Sequence, residues 1–162
     1  MSDKAGAGTT QVDVVVIGAG AAGLMCAATA AYQGHRVLVL DHANKAGKKI
    51  LMSGGGRCNF TNLNTTPEHF VSANPHFCKS ALKRYTPWHF LELVERHGIE
   101  HVEKAPGQLF CADSAKDILG MLLTECEWAG AEIRLKTDIR RVSQTQSGFS
   151  LITSAGNIQC AK

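Results

Sequence analysis

The chain has 162 residues, 44% of them hydrophobic, and its 17 Lys plus Arg against 14 Asp plus Glu give a formal net charge of +3. A chain of this length hides roughly 70% of its unfolded surface on folding, so one soluble domain needs neither disulfides nor a metal to supply a core. The small charge excess, with its short Lys48-Lys49 and Arg140-Arg141 pairs, gives no support to a nucleic-acid partner.

Residues 1–10 (MSDKAGAGTT) read as a flexible N-terminus, with structure expected from Gln11. Residues 12–17 form a β-branched run suited to a strand buried on both faces, residues 21–33 an alanine-rich helix ending at Gly34, and residues 36–40 a second strand. Within residues 14–31, Thr29 alone is neither apolar nor glycine, a length that meets the threshold for a membrane span. Glycines 18, 20 and 23 break that run near its start, so it reads as two buried elements joined by a tight turn, with no membrane partner. Strand, helix and strand make a βαβ unit whose strands lie parallel. Residues 41–64 show no sustained period and read as a long ordered loop. Residues 75–85 are expected to be helical, and Thr86-Pro87 opens another helix that closes at Gly98, with Trp88, Leu91 and Val94, flanked by Phe90 and Leu93, as its core face. Residues 100–102 and 108–110 are short strands around Pro106-Gly107. Ser114 caps a third helix, with Ile118, Met121, Leu122 and Cys126 on one stripe and Gly130 as its stop. Four short runs within residues 131–161 then read as strands. The expected class is α/β: a Rossmann-like βαβ domain over residues 11–162 with a parallel sheet, a helical insertion and a β-rich C-terminal segment.

Gly18-Ala19-Gly20-Ala21-Ala22-Gly23 fits G-x-G-x-x-G directly after a strand and at the start of a helix. In that setting the first glycine allows the tight turn, the second admits a pyrophosphate to the backbone, and the third permits close packing of helix on strand. The helix N-terminal N–H groups then hold the phosphates. Asp41 ends the second strand, 18 residues beyond Gly23, where a carboxylate accepts hydrogen bonds from ribose hydroxyls and disfavours a 2′-phosphate. FAD or NAD fits this set. The segment from Gly47 to Asn62 stands where an NAD-binding fold would place another βαβ unit. Its glycine triplet exposes backbone N–H groups as an anion-binding nest, Arg57 adds a forked donor, and Asn59 and Thr61 add neutral polar groups. Such a loop suits a pyrophosphate, a ribityl chain or a flavin edge.

The spans VDVVVIGAGAAGL, GKKILMSGGGRCNFTN, GQLFCADSAKDIL and AEIRLKTDIRRV resemble the BaiN/YhiN-type family of bacterial NAD(P)/FAD-dependent flavoproteins, from about Val12 to Lys162. The resemblance implies an oxidoreductase that binds extended FAD and takes hydride from NAD(P)H. It places the pyrophosphate at Gly18, Gly20, Ala21, Ala22 and Gly23, and the adenosine ribose at Asp41 and His42. Lys49, Gly54, Gly55, Gly56, Arg57, Cys58 and Asn59 would lie near the ribityl chain and flavin, and backbone at about Ile139 would meet the adenine. The family pattern F-P-x-S is replaced here by Phe110-Cys111-Ala112-Asp113-Ser114. The family also continues past residue 162 into a substrate-side domain and a C-terminal segment that returns to the flavin, so the chain reads as truncated. A catalytically inactive fragment and an NAD-binding module therefore stand beside the oxidoreductase reading. No catalytic residue, substrate or oligomeric state is assigned.

The six cysteines, Cys26, Cys58, Cys78, Cys111, Cys126 and Cys160, include no C-x-x-C pair and fit free thiols in a reducing cytoplasm. Arg57 would lower the Cys58 pKa and suit a redox thiol, but a small side chain packed in a tight loop is the preferred reading, because no second cysteine stands at short spacing. The seven histidines do not cluster, and no metal site is expected.

Overall fold

The computed structural model describes residues 9–162; residues 1–8 of the expected flexible N-terminus lie outside it. Order begins earlier than Gln11, because Thr10 already belongs to strand β1 (Thr10–Val12). The expected single strand is two. Asp13 ends β1, and β2 (Val14–Ile17) follows in a different sheet. The break has a local cause: the Asp13 carboxylate accepts the Arg36 N–H at 2.7 Å, and its carbonyl accepts the N–H groups of Ala161 and Lys162.

Helix α1 (Ala21–Tyr32) ends where Gly34 takes a φ of +85°, and β3 (Val37–Leu40) follows, buried along its whole length. Strand β2 is only half-buried, and Ile17 is 63% exposed. The two strands pair in parallel, Val14 opposite Val37 through Ile17 opposite Leu40.

The expected loop over residues 41–64 is ordered, but it contains helix α2 (Lys48–Met52), a tight glycine turn at Ser53–Gly56 and strand β4 (Asn59–Asn62). Helix α3 (Lys79–Arg84) starts four residues later than expected. Asn74 explains the delay, because its side chain accepts the His76 N–H and its carbonyl the Phe77 N–H, holding the chain in a turn. Helix α4 (Pro87–Arg96) is capped by Thr86 and stops before Gly98 at φ +66°. It buries Leu91, Leu93 and Val94, whereas Trp88, expected in the core, is 58% exposed. At 100° per residue Trp88 lies roughly 120° around the helix from Val94, off the buried face. Strands β5 (His101–Ala105) and β6 (Gln108–Cys111) are antiparallel about Pro106-Gly107, with β4 on the other side of β6. The expected helical insertion thus also carries a three-stranded sheet.

Ser114 precedes helix α5 (Ala115–Ala129) and accepts the Lys116 N–H through its hydroxyl. Strand β7 (Glu132–Arg134) joins the parallel sheet, in the order β2-β3-β7. Strands β8 (Ile139–Thr145), β9 (Gly148–Thr153) and β10 (Gly156–Cys160) form an antiparallel meander that β1 extends in parallel with β10. Leu38, Leu40, Leu151, Ile158 and Cys160 make a shared core against which Val12, Val15 and Ile139 pack.

The chain divides into two compact units, one formed by the described residues through Lys48 together with Leu122–Lys162, the other by Lys49–Met121. No helix among the described residues is long and apolar enough to cross a membrane.

Candidate dinucleotide-binding site

In the first unit the glycine fingerprint forms the turn between β2 and α1. Gly18 sits at φ +104°, a conformation that side chains avoid. A Cβ on Gly23 would collide with the Gly18 carbonyl, whereas one on Gly20 would meet no atom within 4 Å. These two observations assign different duties: Gly23 permits helix-on-strand packing, and Gly20 keeps open the space over the helix N-terminus. Helix α1 has no side-chain cap bond and no acidic residue in its first turn. Its first intrahelical donor is the Leu24 N–H, bonded to the Gly20 carbonyl at 2.9 Å. The N–H groups of Ala21, Ala22 and Gly23 therefore precede the helical ladder, as the anion-binding terminus of a twelve-residue helix requires.

Asp41 does more than present an acid at a strand end. Its Oδ2 accepts the Ala19 N–H and its Oδ1 the Ala43 N–H, each at 2.8 Å. The Gly47 N–H in turn donates to the Ala19 carbonyl at 2.8 Å, and Gly18 N–H to the Leu40 carbonyl at 2.8 Å. The fingerprint turn is thereby tied to the end of β3 from both sides. The bond from Ala43 N–H, reinforced by that from Ala19 and by His42 and Lys48, outweighs burial and holds the Asp41 carboxyl below the usual value of 3.8. His42 is exposed, with Nδ1 at 3.6 Å from Asp41 Oδ1. Thr137 N–H donates to the Asp41 carbonyl and Lys136 N–H to the Ala43 carbonyl, drawing the start of β8 to this loop. Ile139 lies two residues beyond Thr137, and its side chain packs on the core. Gly18–Gly23, Asp41, His42 and the approach to Ile139 are thus assembled in one unit. The brace through Ala19 and Gly47 was not foreseen from sequence. Its signal is a second glycine, at φ +65°, six residues beyond the acid.

The second unit holds the other group of expected residues. Gly54, Gly55 and Gly56 all have positive φ (57°, 66° and 86°), so the triplet is a left-handed turn. A Cβ on Gly54 would lie 2.7 Å from the Asn59 nitrogen and 2.9 Å from the Phe110 ring. Arg57 and Lys49 are exposed. Asn59, oriented so that its amide nitrogen donates, bonds the carbonyls of Thr61 and Leu109 at 3.1 Å each. Its side chain therefore braces the strand irregularity between Asn59 and Thr61. Cys58 is buried at φ +47°. Burial pushes its thiol up, only partly offset by a hydrogen bond with Ser53, against the expected lowering by Arg57. The fold also supplies a neighbour that spacing along the chain hid: Asn59 pairs with Phe110, and the Cys111 N–H bonds the Arg57 carbonyl at 2.8 Å. Burial, then Cys58 and Asp117, push the Cys111 thiol to about 11.

Both thiols therefore stay protonated at neutral pH. Iodoacetamide at pH 8 is expected to label Cys26 and Cys78 in the native chain and to spare Cys58 and Cys111 until denaturant is added, as read by peptide mass spectrometry. The stability consequence has a definite sign. Neutral burial of Cys111 costs nothing below its unfolded value of 9.0, and stability falls by on the order of 2 kcal/mol as pH rises from there toward 11, because the unfolded chain ionises first.

Residues 12–162 match the HI0933-like protein Rossmann domain. The chain belongs to that family. The HI0933-like assignment agrees with the parallel βαβ unit and with the fold class read from the sequence. Among similar proteins, the ribosomal RNA dihydrouridine synthase of Escherichia coli (strain K12) is 51% identical over 150 residues, covering 93% of this chain and 38% of the relative. The 3-dehydro-bile acid delta(4,6)-reductase of Clostridium scindens (strain ATCC 35704 / DSM 5676 / VPI 13733 / 19) is 30% identical over 128 residues, covering 77% of this chain and 31% of the relative. This HI0933-like chain thus spans about a third of the length of these curated relatives. The crystal structure of glycine oxidase from Geobacillus kaustophilus superposes with a TM-score of 0.65 at 20% identity, over 94% of this chain and 54% of that one, and so shares the fold.

Proposed function

We propose that the chain binds FAD and serves a flavoprotein reductase that saturates a uracil ring in ribosomal RNA, with NADH or NADPH as the hydride source. The observation that carries the cofactor reading is the open N-terminus of α1, where Gly20 leaves space and no acidic side chain opposes an anion. The residues present fit the group: main-chain N–H groups of Ala21, Ala22 and Gly23 would hold the diphosphate. Asp41, kept ionised, has lone pairs left for ribose hydroxyls after bonding Ala19 and Ala43. When bound, the flavin would supply hydride transfer to an electron-poor carbon–carbon double bond. In the second unit, Arg57 and Lys49 offer exposed cationic donors to a polar ligand. The inserted Gly54–Asn59 segment, in place of a further βαβ repeat, favours FAD over NAD.

Two relatives support the reaction class. Dihydrouridine is uridine with its ring double bond saturated, and a delta(4,6)-reductase also removes ring double bonds. The higher identity to the ribosomal RNA enzyme, over more of the chain, favours uridine as the substrate.

Titration of the purified chain with FAD, followed by flavin fluorescence, is expected to give saturable binding that NAD does not displace. A folded chain, by circular dichroism, that leaves FAD fluorescence unchanged or prefers NAD would overturn the cofactor reading. Separately, mass spectrometry of ribosomal RNA from cells with and without the coding sequence is expected to show loss of a dihydrouridine. Unchanged dihydrouridine content would overturn the RNA substrate.

A further inference from the structure

Residues 69–91 contain no aspartate or glutamate, yet they carry Lys79, Lys83, Arg84 and three histidines. The same stretch exposes an unusual share of the molecule's large apolar side chains: Phe70 at 45%, Phe77 at 79% and Trp88 at 58%, with Val71 and Tyr85 also exposed. Phe70, Val71 and Phe77 line a groove of about 630 Å³ whose other wall includes Ala81 and Leu82 of α3. Lys79 and Lys83 stand one turn apart on that helix and are exposed, as is Arg84. Beyond it, the Tyr85 and His89 rings stack with centroids 5.7 Å apart and planes 27° from parallel. Glu68, at the edge of the stretch, is held by Thr66 and is the acid whose charge Lys79 senses.

Clustered exposed apolar surface marks an interaction site. An apolar partner alone would be served by the groove walls without the three cations. Aromatic faces set among Lys and Arg, with carboxylates excluded from the stretch, are what unstacked bases and their phosphates require. We infer that the exposed face of residues 69–89 in the second unit is a contact surface for single-stranded RNA, with Phe77 as a stacking face and Lys79, Lys83 and Arg84 as phosphate contacts. The inference rests on the RNA reading above and departs from the expectation drawn from net charge. Lys83-Arg84 is no longer a run than Lys48-Lys49 or Arg140-Arg141, and it gains meaning only from the exposed rings that flank it along the chain.

The test uses fluorescence anisotropy of a labelled, uridine-containing single-stranded RNA with the purified chain across a salt series. The Lys83→Gln/Arg84→Gln variant is expected to bind about tenfold more weakly, with a log–log salt slope smaller by about 1.4, as two lost phosphate contacts on a single strand predict. Phe77→Ala is expected to weaken binding by about tenfold with the slope unchanged. Arg140→Gln/Arg141→Gln, an equal charge change on exposed positions of β8, is expected to bind like the parent. Equal losses in the two paired variants, or a parent chain that binds no RNA, would overturn the surface. Flavin titration of the same preparations keeps that failure separate from failure of the cofactor reading, because none of these residues belongs to the dinucleotide site.

Discussion

Gly23→Ala is expected to destabilise the chain by about 2–3 kcal/mol, read from the midpoint of urea unfolding. The cause is steric. The new Cβ would overlap the Gly18 carbonyl and come within 3.4 Å of Val16 Cγ1. Backbone cannot swing aside as a flexible side chain can, so α1 must lift from β2. The companion variant separates folding from binding. Gly20 has an extended conformation (φ −91°, ψ −171°) open to alanine, and no atom lies within 4 Å of the added carbon. Gly20→Ala should therefore unfold like the parent while binding FAD at least about tenfold more weakly, since its methyl occupies the approach to the helix N-terminus. Equal stability of Gly23→Ala and the parent would refute the packing assignment. Undiminished FAD affinity in Gly20→Ala would refute the phosphate assignment.

Asp41→Ala is the second large effect. Two backbone donors, Ala19 N–H and Ala43 N–H, lose a charged acceptor, and bonds to charged groups contribute about 1.5–3 kcal/mol each. The side chain is 16% exposed, so water recovers part of that loss, and a cost of about 3 kcal/mol at pH 7 is expected. The pH dependence follows from the lowered carboxyl pKa. The Asp41 contribution is fully present above its ordinary value of 3.8 and is lost as pH falls through the depressed folded value. Denaturation midpoints of parent and variant should therefore stay separated while pH remains above the ordinary carboxylate value of 3.8 and draw together as pH falls below it. A constant separation down to pH 2 would show that the charge is not what braces the turn. Asp41→Asn, which keeps one acceptor oxygen, should cost about half as much.

Both variants probe a part of the site that the sequence only half disclosed. The fingerprint and the acid were readable because a turn between parallel strand and helix imposes fixed residue spacing. The brace was not, since it joins Asp41 to Ala19 across 22 positions, and a carboxylate at a strand end looks the same whether it serves a ribose or a backbone N–H. The second group of site residues divides in a similar way. Arg57 and Lys49 remain exposed donors, whereas Cys58 and Asn59 are taken up by burial and by the β4–β6 pairing. Partnership of Cys58 with Cys111 depends on antiparallel register, which no local pattern encodes.

Trp88 shows the limit from another side. Helical periodicity correctly found α4 and its buried leucines, but the width of the buried face depends on what packs against it, and that left the indole exposed. The split of residues 10–17 into strands of two sheets likewise depends on Asp13 meeting Arg36 and the chain's last residues.

By itself the sequence determined the βαβ start, the glycine turn, the caps of α4 and α5 and the β-rich tail, because each follows from local periodicity, glycine conformation or capping chemistry. Only the tertiary structure decided that Asp41 fastens the turn it follows and that the Cys58 thiol is buried and protonated. It also decided that Phe70, Phe77 and Trp88 are exposed, in a stretch that carries the exposed Lys79, Lys83 and Arg84. All three are set by contacts between residues distant in the chain or by solvent exposure, which spacing alone does not specify.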